Sequence, residues 1–113
     1  MIIGIGMEIH RLLGPGFLEI VYKDAMDYEF KNQRIDFNRE KAYPILYKNI
    51  ILSHQYFSDF TVFDKIILEV KAKSKITDLD LAQIINYLKA SGNKVGLILN
   101  FGIESLGIKR VIY

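Results

Sequence analysis

Asp59, Glu69 and Lys71 are charges set where a buried strand should carry none. The stretch Ser58-Asp59-Phe60-Thr61-Val62-Phe63-Asp64-Lys65-Ile66-Ile67-Leu68-Glu69-Val70-Lys71 consists of two apolar runs around an Asp-Lys pair, the pattern of a β-hairpin with both strands largely buried. Burying each ion without compensation costs on the order of several kcal/mol. A divalent cation between the carboxylates and a phosphate against the lysine would supply that compensation.

Side chains alternate along a strand, so Glu69 and Lys71 share one face while Val70 points to the other. Asp59 joins them only if it lies across from Glu69. A two-residue turn at Asp64-Lys65 would pair Phe63 with Ile66 and Asp59 with Val70, on the wrong side. The chemistry therefore predicts a three-residue turn or a bulge within residues 63–66, which makes Asp59 and Glu69 neighbours.

At 113 residues the chain fits one domain with one core, here residues 1–113. It has no cysteine, which rules out disulfides, a thiolate zinc site and a cysteine nucleophile, and leaves oxygen or histidine as metal ligands. Met1-Ile2-Ile3-Gly4-Ile5-Gly6-Met7 is apolar but carries no basic leader and is cut off by Glu8. It makes a poor signal peptide and is too short to span a membrane, so a cytoplasmic protein is expected. A net charge of +2 is compatible with a nucleic-acid partner without requiring one.

The elements that must hold these residues follow in chain order. Ile2, Ile5, Ile9, Leu12 and Leu13 recur at helical spacing, and Gly14-Pro15 stops that helix near Leu13. Its opening turn is short, which suggests a natural start further upstream. His10 within it is a candidate ligand, although a lone histidine among apolar neighbours is more often structural. A second helix is predicted over about 17–33, with Leu18, Val21, Tyr22, Ala25 and Tyr28 as its core stripe. Glu19 falls in its first turn, where the helix dipole favours a carboxylate; alternatively, the Gly14-Pro15-Gly16 loop aims Glu19 at the site.

Residues 37–47 form one expected strand, with Pro44 marking an edge or a bulge. Lys48-Asn49 turns into a long strand over 50–63. Lys71, Lys73 and Lys75 continue at spacing two and, if the strand persists, make a basic row suited to a phosphodiester backbone; a solvated strand end explains them equally well. Thr77-Asp78-Leu79-Asp80 has capping-box spacing and opens a third helix that runs to Ser91 before Gly92. Leu81, Ile85 and Leu88 form its expected stripe, and Gln83 and Tyr87, four apart, share the adjacent face. Residues 94–101 and 108–113 complete the chain as strands, with Gly96 marking a close approach and the last strand at an edge. The order α-α-β-β-β-α-β-β implies an α/β (α+β) domain, a mixed sheet with helices packed on it.

Gly16-Phe17-Leu18-Glu19-Ile20-Val21-Tyr22, preceded by Leu13-Gly14-Pro15, has the form GxxExxY. Together with Ser58-Asp59-Phe60, Glu69-Val70-Lys71, Gln83-Ile84-Ile85-Asn86-Tyr87 and Asn100-Phe101-Gly102, it resembles the GxxExxY protein family of the PD-(D/E)XK nuclease superfamily over essentially the whole chain. The resemblance implies a restriction-endonuclease-like core in which Asp59, Glu69 and the carbonyl of Val70 hold Mg²⁺ or Mn²⁺ and Lys71 orients the attacking water. It assigns Glu19 to a water or second metal, and matches Gln83 and Tyr87 to the QxxxY motif of RecB-type exonucleases. Tyr22 is carried over only as a signature, its residue type and position being those of a core side chain.

The function so implied is a metal-dependent deoxyribonuclease, with DNA favoured over RNA and exonuclease character suggested by the QxxxY match. No segment reads base sequence, so cleavage is expected to be non-specific or directed by a protein partner. A homodimer through the last strand or first helix is compatible with the small size. The competing reading is a catalytically idle nucleic-acid-binding or assembly module with the same fold.

Overall fold

The computed structural model describes all 113 residues, Met1–Tyr113. Helix α1 spans Ile2–Leu13 and α2 spans Glu19–Asn32. The strands β1 (Phe37–Arg39), β2 (Ala42–Tyr47), β3 (Ile50–Phe57), β4 (Phe60–Val62) and β5 (Ile66–Lys71) follow. Helix α3 (Asp78–Ser91) then crosses over to β6 (Val95–Asn100) and β7 (Gly107–Ile112). The expected order is present, with each of the first two strands broken in two.

Strands β1-β4-β5-β6-β7 make one mixed sheet in which only β5 and β6 run parallel, as a helical crossover requires. Strands β2 and β3 leave it as a separate antiparallel hairpin. The break lies between Arg39 and Ala42 on one strand and at Ser58-Asp59 on the other. Glu40 enters the left-handed region (φ 55°), while the backbone stays paired across the bend through Glu40 N–H to the Asp59 carbonyl (3.0 Å) and Ser58 N–H to the Lys41 carbonyl (3.1 Å). A buried hydroxyl chain pins it: Ser58 Oγ lies 2.9 Å from Thr61 Oγ1, which lies 2.7 Å from the Tyr43 hydroxyl. Lys48 and Asn49, both at positive φ, form the two-residue hairpin turn, and the register shifts between Pro44 and Leu46, the bulge that Pro44 announces.

Alternation along β5 and β6 divides the core into two layers. Leu68, Val70, Leu97 and Leu99 pack with Ile5, Ile9, Tyr22, Met26 and Phe30 of α1 and α2. Ile67 and Ile98 pack with Ile84, Tyr87 and Leu88 of α3 and with Tyr43 from the hairpin. The buried stripe of α2 is thus Tyr22, Met26 and Phe30, while Leu18 and Tyr28 are exposed. Leu18 caps the helix instead of lying within it, which rotates the stripe away from the one expected. In α3 the stripe centres on Ile84 and Leu88 instead of Ile85, because Gly96 lets Ile84 approach β6 so closely that an added Cβ would lie 2.8 Å from its Cδ1.

The loop after β5 is fastened by Asn100, itself almost fully buried. Its side chain accepts from the backbone N–H groups of Lys73 (3.0 Å) and Gly102 (3.1 Å) and donates to the Lys73 carbonyl (3.0 Å). Gly102 is pressed onto the same loop: an added Cβ would overlap the backbone nitrogen of Lys73 and sit 2.5 Å from its carbonyl oxygen. Gly102→Ala is therefore expected to destabilise the fold by about 3 kcal/mol, read as a lower denaturant midpoint. An unchanged midpoint would mean that the loop moves aside without cost.

Candidate functional site

The connection between β4 and β5 is the three-residue turn Phe63-Asp64-Lys65, with Val62 paired to Ile66 and Phe60 to Leu68. One step beyond that ladder, Asp59 lies across from Glu69. The two residues are locked by a reciprocal exchange: Asp59 N–H donates to Glu69 Oε2 (2.8 Å), and Val70 N–H donates to Asp59 Oδ2 (2.8 Å). The hairpin's departure at Asp59 explains this. Strand β5 runs on past its last β4 partner, so the Val70 amide loses its strand neighbour there, and the Asp59 side chain takes that neighbour's place.

Each acid spends one oxygen on this lock and keeps the other, Asp59 Oδ1 and Glu69 Oε1, off the backbone. Glu69 is only 3% exposed. Burial, followed by the negative charge of Asp59, pushes its carboxyl up to about 8, against the opposing pull of the Asp59 amide, Lys71 and Lys23. The site is thus an acid pair in which the deeper member resists ionisation.

Glu19 opens α2 after a loop in which Gly14 and Gly16 both take positive φ, 68° and 112°. Tyr22 clasps that loop, donating its hydroxyl to the Gly14 carbonyl (2.6 Å), accepting from Phe17 N–H (3.2 Å) and stacking on Phe101 at 4.6 Å. Its position is that of a buried positioning residue. Glu19 reaches the acid pair through Lys23, whose Nζ lies 3.1 Å from Glu19 Oε1 and 2.9 Å from Asp59 Oδ1. Burial opposes the charge on Lys23, but Asp59 and Glu19 outweigh it, and its pKa is raised. Sequence reasoning passed over Lys23. The available signal was its place four residues after Glu19, hence on the same helix face.

On the α3 side, Lys71 Nζ donates to Gln83 Oε1 (3.3 Å), and Gln83 Nε2 donates to the Tyr87 hydroxyl (3.3 Å). The hairpin's Tyr56 meets Tyr87 edge-on at 5.0 Å. Burial first, then the charges of Glu69 and Asp59, push the Tyr87 phenol up to about 12, so it stays protonated. Asp59 and Glu69, with Glu19 attached through Lys23, and Lys71 with Gln83 and Tyr87 are therefore two hydrogen-bonded groups that influence each other through charge.

No three acidic or histidine side chains converge tightly enough to hold a metal by themselves. His10 stands apart, its Nε2 2.7 Å from the Ile103 carbonyl and its ring against Phe101, a structural arrangement. The basic row also dissolves: β5 ends at Lys71, and Lys73 turns to Asp80 at 2.7 Å. Burial works to raise Asp80, but Lys73 and the Thr77 capping box outweigh it and bring it to about 2. Lys73 is thereby a loop fastener instead of a phosphate contact.

A model of the PD-(D/E)XK nuclease superfamily matches residues 1–111. The chain belongs to the PD-(D/E)XK nuclease superfamily. The fold is similar to that in the crystal structure of SSO0001, with a TM-score of 0.63 at 13% identity. That likeness covers 81% of this chain and 48% of the other, so this domain spans about half of that protein's length. No curated protein matches the sequence. No helix is long and apolar enough to cross a membrane.

The donor set of this PD-(D/E)XK domain fits a hard divalent cation. Two adjacent carboxylates each keep one oxygen off the backbone, no thiolate is present, and Mg²⁺ or Mn²⁺ keeps waters to complete its shell. Asp59 Oδ1 and Glu69 Oε1 would hold it, and the countercharge now at Asp59 comes from Lys23. A bound cation would supply a polarised water and charge neutralisation at phosphorus.

Proposed function

We propose that this domain is a metal-dependent nuclease of the GxxExxY type that hydrolyses phosphodiester bonds in DNA. Asp59, Glu69, the Val70 carbonyl and Glu19 form the metal-holding set. Lys71 orients the attacking water and meets the negative charge that develops on the phosphate. Gln83 and Tyr87 position Lys71 and the substrate in the manner of RecB-type exonucleases. The observation that carries this reading is the reciprocal lock of Asp59 and Glu69, which holds a buried acid next to a second acid at a cost no packing need explains. Lys71 lies two residues along the same strand face.

One observation favours the idle-module reading: Lys23 already neutralises Asp59. Cleavage assays separate the two. The wild type is expected to cut end-labelled single-stranded or linear double-stranded DNA in Mn²⁺ or Mg²⁺ and to stop on addition of chelator, with surviving circles marking an exonuclease. A folded protein that neither binds Mn²⁺ nor cuts any of these substrates would be the idle module.

A further inference from the structure

We propose that Lys23 is a tethered counter-ion that competes with the divalent metal for Asp59 and Glu19 and must be displaced when the metal loads. The inference rests on the metal-dependent reading above and adds a residue to it. Asp59 has two oxygens, and Oδ2 is committed to the Val70 amide. The Asp59 oxygen left clear of the backbone for a metal is Oδ1, the one that Lys23 Nζ holds at 2.9 Å. The oxygen through which Glu19 would join, Oε1, is held by the same ammonium at 3.1 Å. An ammonium and a dication cannot share those positions, since like charges a few ångströms apart in a partly buried site repel strongly.

The arrangement also supplies an exit. Lys23 carries a flexible four-carbon stem one turn into α2, and its side chain keeps 16% of its surface in water while its partner Glu19, nearer the helix start, keeps 42%. Its ammonium can swing outward along Glu19 without disturbing the backbone lock between Asp59 and Glu69. In the metal-free chain the same ammonium supplies the countercharge for Asp59 and Glu19. Lys23 thus lowers metal affinity in return for a stable empty site.

The test titrates Mn²⁺ into the protein without nucleic acid and follows the free-ion paramagnetic resonance signal. Lys23→Met and Lys23→Gln are expected to bind Mn²⁺ about tenfold or more tighter than the wild type, and Lys23→Arg, which keeps the charge, to bind like it. Metal-free Lys23→Met should also melt at a lower temperature than the wild type; Lys23→Gln keeps hydrogen-bonding capacity if that variant fails to fold. Equal or weaker binding by the folded neutral variants would overturn the competition while leaving the nuclease reading intact. Absence of binding in the wild type and every variant would remove the metal site itself, and this inference with it.

Discussion

Glu69→Gln is expected to make the metal-free protein more stable and the nuclease inactive. The carboxyl of Glu69 is held up at about 8, against an ordinary value of 4.5. Below the ordinary value it is protonated in both folded and unfolded chains and costs nothing. As pH rises from there, the unfolded chain releases the proton while the folded one retains it, so folding stability falls; beyond about 8 the full penalty of a buried charge beside Asp59 is present. Glutamine mimics the protonated acid and accepts from the Asp59 amide through its own oxygen. The variant should therefore match the wild type near pH 4 and exceed it by on the order of 4 kcal/mol at pH 8, measured by denaturant melts across that range in chelator. Mn²⁺ affinity should fall by about a hundredfold or more. Melts that run parallel at every pH would show that the acid pair stores no such penalty.

That opposition between stability and function is what made the site legible. A strand of Ile, Leu and Val does not carry Glu69 and Lys71 for packing, and the demand that Asp59 face Glu69 excludes a two-residue turn and leaves a three-residue turn or a bulge. The turn is three residues, although Phe63 and Asp64 take φ of 57° and 54° and only Asp tolerates that conformation readily. Lys23 stayed hidden for a physical reason. A lysine one turn after a glutamate on a helix is ordinary surface chemistry, and its second partner, Asp59, comes from 36 positions further along the chain.

The fold was legible wherever a local signal exists. Gly14 and Gly92 end helices, the Thr77 and Asp80 side chains close the capping box, and Lys48-Asn49 makes the hairpin turn. The breaks in the two long strands carry little such signal. Glu40 is no strand-ending residue, Ser58-Asp59 is only a weak turn signal inside a long β pattern, and the bend depends on a hydroxyl chain through Ser58, Thr61 and Tyr43 that exists only after folding. Yet the bend is what frees the Val70 amide and turns Asp59 into its partner, so the least readable feature of the sequence creates the most readable part of the site.

The second large effect is expected at Lys71. Lys71→Ala should lower the cleavage rate by about a hundredfold or more, equivalent to roughly 2.7 kcal/mol of transition-state stabilisation, while leaving the fold and Mn²⁺ binding in place. The separation follows from geometry. Lys71 contacts neither carboxylate in the lock; its ammonium is held by Gln83 at 3.3 Å, and its charge reaches Glu69 only as one of several opposing influences on that carboxyl. Removing it therefore spares the two oxygens that would hold the cation but takes away the donor proposed to meet the phosphate. Lys71→Arg should recover only part of the rate, because a planar guanidinium carries the charge without the compact point of an ammonium. Single-turnover cleavage at saturating Mn²⁺ measures the step, with a parallel Mn²⁺ titration as the control. Loss of metal binding together with rate would instead assign Lys71 to the assembly of the acid pair.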